Sequence, residues 1–167
     1  MLKSLIKFFK ALNQNSNPSE IANAVCCGMI LGFMPKNNAL WYIIAVFCFF
    51  IRIQKSSYII FTFLFSLLSP CLDFWFDFFG YFILKLDFMQ PVFVTLMKIP
   101  LIGYTKFYNS IVMGSLLTSL ILYIPVFYLA KFFIQLWRSH LVPVVRKTKL
   151  VKIVSKIPLI KKVKALI

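Results

Sequence analysis

The sequence predicts an all-α membrane protein: a short Gly/Pro helical hairpin, two long kinked transmembrane helices, and amphipathic helices at both ends. Three observations carry that prediction. Hydrophobic residues make up 61% of the 167-residue chain and charged residues only 14%, whereas a soluble domain is nearer half apolar and a quarter charged. The apolar residues are gathered into runs that approach or exceed the length a helix needs to cross a bilayer. The 19 basic and 4 acidic residues, net +15, stand mostly at the two ends and in breaks between the runs. Such a charge in a soluble chain points to nucleic acid. At the flanks of apolar runs it points to an anionic lipid surface.

Residues 1–16 are the first of three expected parts. Leu2, Leu5, Ile6, Phe9 and Leu12 fall on one helical face and Lys3, Lys7 and Lys10 on the other, the pattern of a helix lying in the membrane interface. The lysines interrupt the apolar residues, so no continuous core of a cleavable signal peptide forms, and the segment is read as retained.

Residues 17–140 form the expected membrane domain. Asn17 or Ser19 caps a helix start, Pro18 suits the first turn, and Glu20 meets the positive end of the helix dipole. Ala24, Gly28 and Gly32 are four apart and make a groove without side-chain bulk, where a second backbone can approach. Pro35 ends this arm and Lys36, Asn37 and Asn38 make a polar turn. The second arm, Ala39 to Ile51, carries Trp41 and Tyr42 near its start, where aromatic rings favour the headgroup level. Each arm is about 14 residues, ~21 Å against a ~30 Å hydrocarbon core. The hairpin therefore either spans a locally thinned bilayer or dips in and returns.

Tyr58 to Leu86 is long enough to cross, and Ser69-Pro70 predicts a kink or break near Leu67. A partly apolar connection follows, with a short helix over Pro91–Met97 and a turn at Pro100–Gly103. In the last long run, Phe107 to Trp137, Ser110, Gly114 and Thr118 repeat the small-residue spacing. That makes it the natural partner of the first hairpin arm. Pro125 should break or kink it. Residues 141–167 are a basic amphipathic tail, with Arg146, Lys147, Lys149, Lys152, Lys156, Lys161, Lys162 and Lys164 set against anionic lipid. With four crossings and both termini in the cytoplasm, 15 of the 19 cations fall inside, as the positive-inside rule requires. A hairpin that dips also leaves both termini cytoplasmic.

The residues that could carry chemistry are few. Asp73 and Asp77 are four apart in an apolar segment, where a carboxylate is a functional candidate for an ion or a proton. The plainer reading puts both near an interface, satisfied by water or Lys85. Asn23 reads as a hydrogen-bonding link between helices. Cys26, Cys27, Cys48 and Cys71 lie in apolar runs with neither metal-ligand spacing nor a nearby His, so they read as packing residues and no metal or cofactor is expected. No nucleophile–base, HExxH, phosphate-loop or dinucleotide pattern is present, and an enzyme is not expected.

The motif Asn17-Pro18-x-x-Ile21-Ala22, then Gly28, Gly32 and Pro35, an apolar arm, a polar break and a later small-residue-Pro pair resembles the bacterial membrane family called domain of unknown function 2062. Where that pattern has Asn-Pro this chain has Ser69-Pro70, and where it has Asn after Arg this chain reads Arg52-Ile53-Gln54. Ile99 to Ser115 is similar to a spirochaete and proteobacterial subgroup, and the resemblance runs from Asn17 to Ser139. The family has no established activity. Relatives fused to glycosyltransferase domains imply envelope glycan or lipid biology. The resulting expectation is a small inner-membrane protein, a non-enzymatic accessory or scaffold subunit contacting anionic lipid and another membrane protein or a second copy of itself, without nucleic acid. The alternative is a small ion-coupled transporter or channel-like protein using Asp73 and Asp77.

Overall fold

In a computed structural model the described residues, 17–88 and 90–141, are helical throughout apart from their turns. The predicted amphipathic helix at the N-terminus and the basic tail, with all eleven cations assigned to them, lie outside the described residues.

Four of the helices begin where an amide side chain holds free backbone N–H groups. Helix α1, Pro18–Phe33, is capped by Asn17, whose side-chain oxygen accepts from Ser19 N at 3.1 Å. It stops because Met34 precedes Pro35 and is forced extended, at φ −72° and ψ 137°. Asn38 then fixes the turn in both directions. Its Nδ2 donates to Pro35 O, and its Oδ1 accepts from Trp41 N at 2.7 Å to start α2, Ala39–Phe50. Gln54 caps α3, Lys55–Leu84, through Ser57 N. Helix α4, Gln90–Met97, and a single turn, Pro100–Gly103, form the connection. Asn109 caps α5, Ser110–Leu136, by accepting from both Ile111 N and Val112 N, and a π-helical turn, Trp137–Leu141, closes the described chain.

The short helix is the centre of the fold. Twelve of its sixteen residues are buried, so α1 has no solvent face of its own. It runs parallel to α3: Gln54 N donates to Glu20 O at one end, Gly28 faces Phe61 and Thr62, and Gly32 faces Phe65 and Ser66. It runs antiparallel to α5, with Ile21 and Ala22 against Ile134 near its start and Ile30 and Met34 against Val112 near its end. Beyond α1 the two long helices meet each other at Gly80 and Gly114. Helix α1 thus fills the wedge between α3 and α5, while α2 lies further out, touching α1 through Cys48, Trp41 and Ile44.

The side chains are distributed by size rather than by polarity. Phe50, Phe74 and Ile121 are 85%, 76% and 73% exposed, while Ser57, Ser115 and Ser119 are fully buried. Two helices, Lys55–Leu84 and Ser110–Ser139, are long and apolar enough to cross a membrane; the hairpin arms are shorter.

One expectation is corrected: Pro70 and Pro125 do not break their helices, and α3 and α5 run through both without interruption. A proline removes one backbone bond, and the turns on either side, packed on α1, hold the axis together. The last long helix does pack along the first hairpin arm, as its small residues suggested, but not stripe to stripe. Gly28 and Gly32 close on α3, whereas Gly114 closes on Gly80, because α1 offers a different face to each long helix.

Candidate functional site

A helix that ends among apolar side chains leaves carbonyls that only the protein can satisfy. At the end of α1 three donors do so. Met34 N returns to Ile30 O at 3.3 Å, Trp41 Nε1 of α2 donates to Leu31 O at 2.9 Å, and Ser69 Oγ of α3 lies 3.0 Å from Phe33 O. The α1 terminus is therefore tied to the two helices that follow it in sequence.

Its other face is tied to α5. Tyr123 OH donates to Asn23 Oδ1 at 3.2 Å, and Cys26 Sγ donates to Tyr123 O at 3.5 Å. Asn23 thus links two helices, as its place in the apolar run suggested. Around these links sit Met29, Phe33 and Phe76 on one side, and Ala24, Cys27, Leu31, Cys48 and Tyr58 on the other. Phe33 meets the Phe65 ring edge-on with centroids 5.2 Å apart.

Close backbone approach is the second element of the site. A Cβ on Gly28 would lie 2.9 Å from both Phe61 Cβ and Thr62 N, and one on Gly32 would overlap Phe65 Cβ. A Cβ on Gly114 would overlap the Phe76 carbonyl, and one on Gly80 the Ser110 carbonyl. The two long helices therefore cross backbone to backbone.

The two carboxylates share a helix face but have different partners. Asp73 is half-buried, with Oδ1 3.3 Å from Ser69 Oγ; the single proton of that hydroxyl serves either Phe33 O or the carboxylate. Asp77 is exposed and accepts from Ser110 Oγ across the α3–α5 crossing. Lys85, expected as their partner, instead lies over the Tyr81 ring, 4.5 Å from its centroid. Cys26, Cys27 and Cys48 are buried free thiols and Cys71 is exposed. Among the described residues no three His, Cys, Asp or Glu side chains gather as a metal site.

Of the residues singled out from the sequence, Ala24, Gly28, Gly32 and Gly114 are buried at helix contacts. Ser110 joins the crossing, Thr118 is only half-buried, and Pro35 stands in the turn. Gly80, Ser115 and Ser119 were missed as interior positions, and Trp41 and Ser69 as donors to α1. The signal present in the sequence was a small or hydroxyl-bearing residue inside a run of large apolar ones.

The family model described as an uncharacterized protein conserved in bacteria, DUF2062, matches residues 5–141. An uncharacterized protein of Treponema pallidum (strain Nichols) is 31% identical over 162 residues, covering 97% of this chain and all of the relative. No solved structure matches the chain.

Proposed function

Since the chain belongs to DUF2062, a family of uncharacterized proteins conserved in bacteria, we propose that it is an integral protein of the bacterial inner membrane that works without catalysis, as an accessory or scaffold subunit in envelope lipid or glycan handling. One observation carries this reading: large apolar side chains cover the outside of α2, α3 and α5, while buried serines, glycines and thiols share the interior with Ile21, Met29, Leu31 and Phe76. In water such a surface would expose far more than the few hundred Å² of contiguous apolar patch that monomers carry. In lipid it is the expected surface, and close packing of small residues replaces the hydrophobic effect as the force between helices. The hydrogen bonds at the end of α1 meet the rule that backbone at membrane depth is satisfied by protein.

The test begins with fractionation. The chain is expected in the membrane pellet after an alkaline wash, and its recovery in the supernatant ends the proposal. Affinity purification in a mild detergent then reads the scaffold part, with a reproducible co-purifying membrane protein as the expected result.

A second reading has one observation in its favour. The C-terminal end of α1, Ser69 and Asp73 bring a carbonyl, a hydroxyl and a carboxylate together, the donor types with which broken helices hold monovalent cations or protons in carriers. Asp73→Asn with Asp77→Asn separates the two: a scaffold keeps its partner and loses nothing, whereas a carrier keeps its assembly and loses ion-dependent flux.

A further inference from the structure

Helix α2 leans away from α3 along part of its length and leaves a groove of about 720 Å³ between them. Its walls are Leu31, Trp41, Val46, Phe49, Tyr58 and Phe63, and one cation, Lys36, stands at its end on the hairpin turn. The wall hydrogen bonds run inward: Trp41 Nε1 donates to Leu31 O, and Thr62 Oγ1 to Tyr58 O. Lys36 is exposed and lines the groove, while Lys55 Nζ stands over the ring of the wall residue Phe49, 5.0 Å from its centroid.

We propose that this groove seats one acyl chain of an anionic phospholipid, with the lipid phosphate on Lys36. The inference rests on the membrane reading above and goes beyond it by naming a site. The walls favour a chain over a helix. Helices pack in lipid through small residues; apart from Ala45 and Thr62 these walls are bulky, and the glycines that let backbones close up are already used at Gly28, Gly32, Gly80 and Gly114. Lipid tails are as apolar as the walls, so filling the groove gives no preference among lipids. The preference comes from the polar end, where an ammonium attracts a phosphate that carries no compensating cation.

The experiment uses the full chain in mild detergent, offered equal amounts of phosphatidylglycerol and phosphatidylethanolamine, with retained lipid counted by native mass spectrometry. One phosphatidylglycerol is expected, favoured about five-fold, which is what ~1 kcal/mol for one lysine at an anionic surface amounts to. Lys36→Gln should bring the preference to about one without changing the unfolding midpoint, since the residue lies on an exposed turn. Lys36→Arg should keep it. Val46→Trp fills the groove from its outer wall and should release the lipid of either kind. A preference indifferent to Lys36→Gln overturns the proposal, as does full lipid occupancy in Val46→Trp. Both results, obtained on a chain that fractionates with membranes, leave the membrane reading standing; a chain in the soluble fraction removes both.

Discussion

Ser69 precedes a proline in an apolar run, and from sequence that pair reads as a helix breaker. In the fold its hydroxyl lies 3.0 Å from the Phe33 carbonyl, 36 positions away, the nearer of its two acceptors, and α3 continues past it. Ser69→Ala leaves that carbonyl without a partner among apolar side chains. The expected cost is about 1 kcal/mol, a typical net value for one such bond in water or lipid. Denaturant titration in mixed micelles measures it, and Ser69→Thr should recover most of the loss. The Asn23–Tyr123 pair calls for a double-mutant cycle: Asn23→Ala and Tyr123→Phe should couple by roughly 0.5 kcal/mol or more. Strict additivity would show that the contact contributes nothing. The hydroxyls, the amide and the indole N–H were all visible in the sequence. Their acceptors were not, because a hydrogen bond to a carbonyl leaves no mark on the residue that owns that carbonyl.

At the scale of elements, the first helix start was legible from Asn17, and Asn38, Gln54 and Asn109 cap the later ones, whose starts at Lys55 and Ser110 differ from the apolar runs read from Tyr58 and Phe107. The stop at Met34 was legible from Pro35. The pairing of helices was not. A four-residue spacing of small side chains says that a backbone can come close, but not which one, and Gly80 lacked a matching partner within its own run. The crossing gives a sharp expectation. Gly114→Leu or Gly80→Leu places a side chain where the other helix's carbonyl lies, and backbone cannot move aside as a flexible side chain does. Each should abolish recovery of monodisperse protein in size-exclusion chromatography. Gly103→Leu, with nothing within 4 Å of a new Cβ, should elute as the parent does. A normal profile for Gly114→Leu would mean that the long helices do not cross there.

For the whole molecule, composition gave the class and concealed the arrangement. Every run is apolar on all sides, so periodicity does not mark α1 as the central helix; its small residues do so only in retrospect. Thiol accessibility tests the arrangement directly. Cys71 should react with a small apolar maleimide that enters the micelle in folded, detergent-solubilised protein, while Cys26, Cys27 and Cys48 should require denaturation first. Rapid labelling of Cys26 or Cys27 in the folded state would place α1 at the surface. The joining of Asn23 to Tyr123 also has a consequence for biosynthesis. Those partners are 100 residues apart, so at about 5–20 residues per second the ribosome delivers the second roughly 5–20 s after the first. During that interval one flank of the emerging segment has no mate, and an insertion factor or chaperone that shields small residues has a window in which to act.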